Sequence, residues 1–161
     1  MNQSTRLAAQ LAEQGLSLAT AESCTGGGLS HLLTSIPGAS AFFVGGIIAY
    51  QNDIKERFLG VPKQVLQDYG AVSSQTALAM ADGCRSRFGT DIAVSITGIA
   101  GPGGGSAEKP IGLVYIAVAV NQGTRATEFF FSGQREQIRN AAISAALDLI
   151  LEALNERRRP Y

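Results

Sequence analysis

The chain has 161 residues, of which 45% are hydrophobic and 16% are charged, and its formal net charge is zero. This length fits one domain, residues 1–161, whose core is large enough to need no metal or disulfide staples. The low, balanced charge argues against a protein that binds nucleic acid electrostatically, and no apolar run is long enough to span a membrane.

The cysteine content and the two ends of the chain give expectations about compartment and partners. Two cysteines, Cys24 and Cys84, are too few for a disulfide framework. No apolar stretch near the N-terminus resembles a secretory signal, so we expect a cytoplasmic protein. The basic segment 156–160 complements the negative end of a helix and is ordinarily solvated, so it does not indicate nucleic-acid binding.

Apolar residues at helical spacing alternate along the chain with short runs of buried, branched residues. The predicted elements, in order, are a helix over 4–14 ended by Gly15, a strand over 16–21, a helix from 25 to 36, a strand over 42–50, two short helices separated at 59–62, a helix capped at Ser73 and running to 88, strands over 91–97 and 111–120, a hairpin turn at 121–123, a strand over 124–131, and a helix over 135–158. This order predicts a three-layer α/β/α sandwich over a mixed, mostly parallel sheet of about five strands.

The segment Thr20-Ala21-Glu22-Ser23-Cys24-Thr25-Gly26-Gly27-Gly28 places a hydroxyl beside a thiol where a predicted strand turns into a helix. Backbone N–H groups at a helix N-terminus stabilise an oxyanion or a phosphate, and glycines allow close approach. Ser23 and Cys24 are therefore both candidate nucleophiles, since a thiol at this place can have a lowered pKa. Glu22 either anchors the turn or caps it.

A serine nucleophile needs a base that accepts its proton. The one histidine, His31, lies about two helical turns beyond Thr25, roughly 9 Å along the axis, which disfavours a Ser-His pair. Lys55 is the candidate base, because burial favours the neutral amine, and Tyr50 is placed to orient or relay the proton. The competing interpretation is that Lys55 is a solvated helix residue.

Two further features suggest binding of an anionic group. The glycine-rich segment 98–106 matches neither the dinucleotide fingerprint nor the Walker loop. It either presents N–H groups to a phosphate or ribose, assisted by the Thr97 hydroxyl, or forms a tight crossover loop. Arg135 and Arg139 lie one helical turn apart and suit a phosphate, although ion pairs with Glu136 or Glu128 are an equal alternative.

All these clusters follow predicted strand ends, where open α/β sheets bind their ligands. Five ordered motifs, covering nearly the whole chain, resemble the CinA C-terminal domain family. They are Thr20-Ala21-Glu22-Ser23-Cys24-Thr25-Gly26-Gly27, then Tyr50-Gln51-Asn52 with Lys55 and Leu59-Gly60-Val61, then Gly70-Ala71-Val72-Ser73, Ile96-Thr97-Gly98-Ile99-Ala100-Gly101-Pro102, and Lys109-Pro110-Ile111-Gly112-Leu113-Val114. Stand-alone members of this family are nicotinamide mononucleotide deamidases, and larger members carry an additional N-terminal domain.

The resemblance implies an α/β/α sandwich with a five-stranded mixed sheet, often a homodimer, that hydrolyses the nicotinamide carboxamide to a carboxylate and ammonia in pyridine nucleotide salvage, without metal or organic cofactor. It implies that Ser23 is the nucleophile, that Lys55 acts with it and that Tyr50 lies close by. An arginine of the last helix, Arg135 or Arg139, contributes to the site. The remaining expected substrate contacts are Thr25, Gly26, Gly27, Asn52, Thr97 and Gly98. A nucleotide-sensing module without catalysis and a small-amide hydrolase of different specificity remain as alternatives.

Overall fold

A computed structural model describes residues 1–157 of the chain. Its helices are α1 (Gln3–Gln14), α2 (Gly28–Thr34), α3 (Asn52–Leu59), α4 (Lys63–Tyr69), α5 (Ser74–Phe88) and α6 (Arg135–Arg157), with a short 3-10 helix at Ala39–Ala41. Its strands are β1 (Leu18–Glu22), β2 (Phe43–Ile48), β3 (Ile92–Gly98), β4 (Leu113–Val120) and β5 (Gly123–Phe130). Within these residues no helix is long and apolar enough to cross a lipid bilayer.

The five strands form one sheet in the order β2-β1-β3-β4-β5. Strand β1 pairs in parallel with both β2 and β3, whereas β4 is antiparallel to both of its neighbours. Four of the five strands therefore run in the same direction, and the predicted mixed α/β/α fold is confirmed. Because β5 shares the direction of β1, β2 and β3, the segments that follow all four strands begin at one edge of the sheet.

Two apolar clusters lie on opposite faces of the sheet. Helices α1, α2 and α6 cover one face with large aliphatic side chains, among them Leu7, Leu11, Leu29, Leu33, Ile138 and Ile150. Helix α5 covers the other face over small residues, among them Ala19, Ala21, Ala77, Ala81, Ala93 and Ala117. Small side chains on both sides of this interface let α5 lie close to the sheet.

The predicted element boundaries differ from the observed ones where turns intervene. The second helix begins at Gly28 rather than at 25, because residues 24–27 form a turn that contains two left-handed glycines, Gly26 and Gly27. Gly15 ends α1 in the left-handed conformation, and Ser73 caps α5, as the sequence predicts. The predicted end of the last helix, residue 158, lies outside the described residues.

Gly83 sets the distance between α3 and α5. An added Cβ at this position would lie 1.6 Å from the carbonyl oxygen of Leu59, the last residue of α3. Because α3 also carries Lys55, this close approach helps to fix where that side chain stands.

Gly83→Ala is expected to lower the free energy of unfolding by about 2–4 kcal/mol, because one of the two helices must move. In an unpacked helix the same change would stabilise the protein by about 0.5–1 kcal/mol. Denaturant unfolding compares this variant with Ser86→Ala, an exposed position of the same helix. Unchanged stability of Gly83→Ala would contradict the close packing.

Candidate active site

Lys55 lies one turn into α3 and points back toward the end of β1. Its Nζ is 3.1 Å from the Ser23 Oγ, and it donates to the carbonyl oxygens of Ala49 at 2.8 Å and Tyr50 at 3.0 Å. The residue is only 1% exposed although it is a lysine. Burial of the ammonium group lowers the pKa of Lys55 from 10.5 to about 8.

The three contacts of Lys55 determine which way its lone pair faces. A carbonyl oxygen can only accept hydrogen bonds, so Ala49 and Tyr50 each require an N–H of the amine. A neutral amine has two hydrogens and one lone pair. When both hydrogens go to the carbonyl oxygens, the lone pair is directed at the Ser23 hydroxyl, which is the arrangement that a general base requires.

Cys24 is placed differently from its neighbour. Both residues are 7% exposed, but the Cys24 side chain belongs to the apolar cluster under α2 and α6, whereas the Ser23 hydroxyl contacts Lys55. Burial raises the pKa of the Cys24 thiol from 9.0 to about 11, against smaller lowering effects of nearby Arg139 and Lys55. The thiol is therefore protonated at neutral pH, and the lowered pKa that would make it a good nucleophile is not found.

Glu22 is the last residue of β1, and its carboxylate lies at the N-terminal end of α2. Its carboxylate accepts hydrogen bonds from the Thr25 hydroxyl, the Leu29 amide, and both the amide and the hydroxyl of Ser30, at 2.6–3.0 Å. This corrects the expectation that the N-terminus of α2 binds an oxyanion or a phosphate, because a carboxylate of the protein already lies there.

The turn over 23–27 is bonded internally and to β3. Ser23 N–H donates to Ile96 O, Gly26 N–H donates to Ser23 O, and Gly28 N–H donates to Thr25 O. The Gly26 amide is thus not free to hold an oxyanion. Within residues 1–157, the amides of Cys24, Thr25 and Gly27 form no such bond, and of these three residues only Cys24 lines the pocket, so its amide is the remaining candidate for that role.

The sequence model of the CinA C-terminal domain matches residues 2–154 of the chain. The chain belongs to the CinA C-terminal domain family. A putative competence-damage inducible protein of Caldicellulosiruptor bescii is 52% identical over 140 residues, which cover 87% of this chain and 34% of the relative. A CinA-like protein of Geotalea uraniireducens is 47% identical over 93% of this chain and 36% of the relative. This CinA domain therefore spans about a third of the length of the curated relatives that it matches.

Solved structures of CinA proteins share the fold over almost their whole length. The competence/damage inducible protein CihA from Agrobacterium tumefaciens superposes with a TM-score of 0.91 at 45% identity, covering 95% of this chain and 93% of that one. A CinA superfamily protein from Klebsiella pneumoniae 700603 gives 0.92 at 32% identity, with coverages of 97% and 99%. At this identity, the likeness supports both the fold and the membership of the family.

An open pocket of about 190 Å³ lies above Ser23 and Lys55 in this CinA domain. Ser23, Cys24, Tyr50 and Lys55 line one part of it. The rest is lined by Ala71, Val72, Thr97, Gly98, Ala100 and Arg135. The predicted site residues did not include Ala71, Val72 and Ala100, although all three lie within motifs that carry the family resemblance.

The two arginines of α6 have different surroundings. Arg135 lines the pocket, donating to Gly101 O at 2.7 Å and to the hydroxyl of Tyr50 at 3.2 Å. Arg139 lies behind the turn and donates to Cys24 O and Thr25 O, each at 3.1 Å, and to Glu136 at 3.1 Å. Of the two candidate arginines only Arg135 therefore lines the pocket, whereas the Arg139 guanidinium holds the turn and pairs with Glu136, as the alternative interpretation expected.

The remaining predicted substrate contacts also divide into residues that line the pocket and residues that do not. Thr97 and Gly98 line the pocket, and the Thr97 hydroxyl donates to Ala71 O at 2.7 Å. Thr25, Gly26 and Gly27 form the turn behind Ser23 and do not line the pocket. Asn52 is exposed at the first turn of α3, outside the lining. The structure therefore provides no pocket contact for these four residues.

The glycine-rich segment serves mainly to fold over Ile111. An added Cβ would lie 2.7 Å from the Ile111 side chain at Gly101 and 2.9 Å from its backbone nitrogen at Gly105. Only the first residues of the segment, Gly98 and Ala100, line the pocket. Most of the segment therefore has a structural role, but it is a hairpin connection and not the expected crossover loop, because β3 and β4 are antiparallel neighbours.

A larger cavity, of about 1130 Å³, lies between β5 and the end of α6. It is crossed by an exposed ion pair between Arg125 and Glu156 and shares no lining residue with the pocket over Ser23. The larger of the two cavities is therefore not the one that contains Ser23 and Lys55. In residues 1–157 no group of three or more histidine, cysteine, aspartate or glutamate side chains is arranged to hold a metal ion.

Proposed function

We propose that this CinA domain hydrolyses the carboxamide of nicotinamide mononucleotide to nicotinate mononucleotide and ammonia, by acyl transfer through Ser23. The observation that carries the proposal is the buried Lys55 amine, 3.1 Å from the Ser23 hydroxyl and held by two carbonyl oxygens. A lysine held in this way, with a pKa of about 8, is a base for a serine nucleophile.

The proposed reaction has two stages. The neutral amine of Lys55 accepts the Ser23 proton while Ser23 Oγ bonds to the carboxamide carbon, and the Cys24 amide donates to the oxyanion. The carbon–nitrogen bond then breaks, and the Lys55 ammonium returns its proton to the departing nitrogen, which leaves as ammonia. Water, deprotonated by Lys55, next attacks the acyl ester and releases the carboxylic acid and the Ser23 hydroxyl.

Thr97 supports a carboxamide as the reacting group. Because its hydroxyl proton is donated to Ala71 O, the oxygen presents only lone pairs to the pocket. A lone pair suits the NH₂ group of a carboxamide and does not suit a phosphate oxygen. We therefore assign Thr97 to the amide end of the substrate.

Arg135 supports a phosphate at the opposite end. The pocket, about 190 Å³ in volume, is smaller than a typical ligand site of roughly 300–1,000 Å³, so it accommodates the carboxamide and ring while the ribose phosphate lies at its mouth. Arg135 and the half-exposed Tyr50 stand there together, and two hydrogen bonds leave the guanidinium with donors to spare.

Arg135→Ala is expected to raise the KM for nicotinamide mononucleotide by about 10- to 100-fold with little change in kcat, because a charged hydrogen bond is worth about 1.5–3 kcal/mol. Arg139→Ala is the matched comparison. It is expected to lower kcat instead, since its guanidinium holds the turn that bears Ser23. The two parameters, measured for both variants, distinguish these roles, and an unchanged KM in Arg135→Ala would remove the phosphate assignment.

Ammonia release from a panel of amides tests the proposal as a whole. We expect nicotinamide mononucleotide to be hydrolysed in strong preference to nicotinamide riboside and nicotinamide. Equal rates on all three would indicate a small-amide hydrolase of different specificity, and binding without ammonia release would indicate a nucleotide-sensing module. The homodimer and the cytoplasmic location stay predictions.

A further inference from the structure

Glu22 is a buried carboxylate that the reaction above does not use. It is 1% exposed, and both of its oxygens are surrounded by donors: Oε1 by the Thr25 hydroxyl and the Leu29 amide, and Oε2 by the Ser30 amide and hydroxyl. Since a buried carboxylate is costly unless it is fully hydrogen-bonded, this arrangement offsets a large desolvation cost within a few residues of the candidate nucleophile.

The local backbone explains why a strand residue occupies this place. Helix α2 has Gly27 as its N-cap, with φ at 95°, and a glycine has no side chain that could accept from the first turn. Leu29 and Ser30 are the second and third helical residues, whose amides a capping side chain normally satisfies. Glu22 reaches across the turn from the end of β1 and takes over that function.

The two ends of the turn over 23–27 are therefore connected through one side chain. Glu22 directly precedes Ser23, and its carboxylate is bonded to Thr25 within the turn and to the helix that follows it. On the other side, Arg139 binds the carbonyl oxygens of Cys24 and Thr25. The other restraints on the turn are the three backbone hydrogen bonds described above, and Gly26 and Gly27 by themselves allow many backbone conformations.

We infer that Glu22 is a positioning residue, which keeps the Ser23 hydroxyl in reach of the Lys55 amine by fixing the turn between β1 and α2. The inference rests on the proposed Ser23–Lys55 chemistry and adds to it a group that touches neither the pocket nor the substrate. A displacement of the nucleophile of about 1 Å is enough to slow such a reaction by about 100-fold.

The experiment compares Glu22→Gln with the same substitution at Glu128, an exposed residue of β5 whose carboxylate accepts a hydrogen bond from the Tyr115 hydroxyl. A glutamine NH₂ group cannot accept a hydrogen bond, so one backbone amide of α2 loses its acceptor and the hydroxyl beside it must turn from donor to acceptor. Each protein is assayed well below its own melting temperature. The measurements are the rate at which a small fluorophosphonate labels Ser23, the kcat and KM for nicotinamide mononucleotide, and the pH profile.

For Glu22→Gln we expect labelling and kcat to fall together by at least about tenfold, with KM and the midpoint of the pH profile unchanged. Glu128→Gln should match the wild-type protein in every measurement. A contribution to folding alone would lower the melting temperature but leave the labelling rate of the folded protein unaltered. Labelling of folded Glu22→Gln within threefold of wild type would overturn the inference.

If Glu22→Gln does not fold, two milder variants test the positioning role of Glu22. Ser30→Ala and Thr25→Val each remove one hydroxyl donor to Glu22, and both should slow labelling by about two- to fivefold without changing KM. Wild-type rates in both would overturn the positioning role. A wild-type protein that takes no label at Ser23 would overturn the Ser23–Lys55 chemistry itself and, with it, this inference.

Discussion

Ser23→Ala is expected to abolish ammonia release, with kcat for nicotinamide mononucleotide falling by at least about 1,000-fold. The loss follows from the proposed acyl transfer, because no other hydroxyl lies within hydrogen-bond reach of the Lys55 amine in the part of the chain that the structure describes. Substrate binding should survive, since the remaining pocket residues, including Thr97 and Arg135, are untouched. Ammonia release measured at fixed times reports the loss of turnover, and equilibrium binding of nicotinamide mononucleotide reports whether substrate binding survives.

Cys24→Ala is the matched control for this variant. Its thiol lies next to Ser23 but is buried in the apolar cluster, and burial raises its pKa to about 11. We expect kcat within about threefold of wild type, together with a modest loss of stability from the removed sulfur. Full activity in Ser23→Ala combined with inactivity in Cys24→Ala would assign the chemistry to the thiol.

Lys55→Met is expected to lower kcat by about 100- to 10,000-fold, the usual contribution of a positioned general base, while keeping the methylene packing of the lysine stem. In the wild-type protein, burial lowers the pKa of Lys55 to about 8, and the neutral form is the active one. The value of kcat/KM should therefore rise about tenfold per pH unit below pH 8 and level off above it. A profile that is flat between pH 6 and pH 9 would exclude Lys55 as the base.

The same lysine also makes stability depend on pH. Its pKa is about 8 in the folded protein and 10.5 without burial, so between these values the unfolded chain binds the additional proton. The free energy of unfolding should thus increase with pH across this range. Below pH 8 the cost of burying the Lys55 ammonium group is fully present. Denaturant unfolding at pH 7.5, 9 and 10.5 should show a smaller increase for Lys55→Met than for wild type. Equal slopes would mean that Lys55 titrates normally when folded.

Much of the fold was predictable from sequence patterns, and the centre of the site from the placement of polar residues after strands together with the family resemblance. Periodicity and glycine punctuation gave the alternation of helices and strands, which the observed sheet confirms. Ser23 and Lys55 were predicted to meet because each follows a strand whose end lies at one edge of the sheet, and their side chains are 3.1 Å apart. Residues that follow parallel strands lie at the same edge of the sheet, so their proximity can be predicted without knowing how the side chains pack.

Roles that depend on hydrogen-bond partners were not predictable in this way. Arg135 and Arg139 are equivalent in spacing, and only packing shows that one lines the pocket whereas the other holds carbonyl oxygens of the turn. The N-terminus of α2 has the composition of an anion site, but Glu22 already fills it. Glycines in the segment after β3 suggested phosphate contacts, yet Gly101 and Gly105 are required by their approach to Ile111.

The proposed acyl transfer requires that Ser23 become acylated during turnover. It is tested most directly by acid-quenching the wild-type protein while it hydrolyses nicotinamide mononucleotide and mapping modified peptides by mass spectrometry. We expect an adduct on Ser23 whose mass is that of the substrate less one ammonia, and no such adduct in Ser23→Ala. An adduct on Cys24 with Ser23 unmodified, or undiminished turnover by Ser23→Ala, would contradict it.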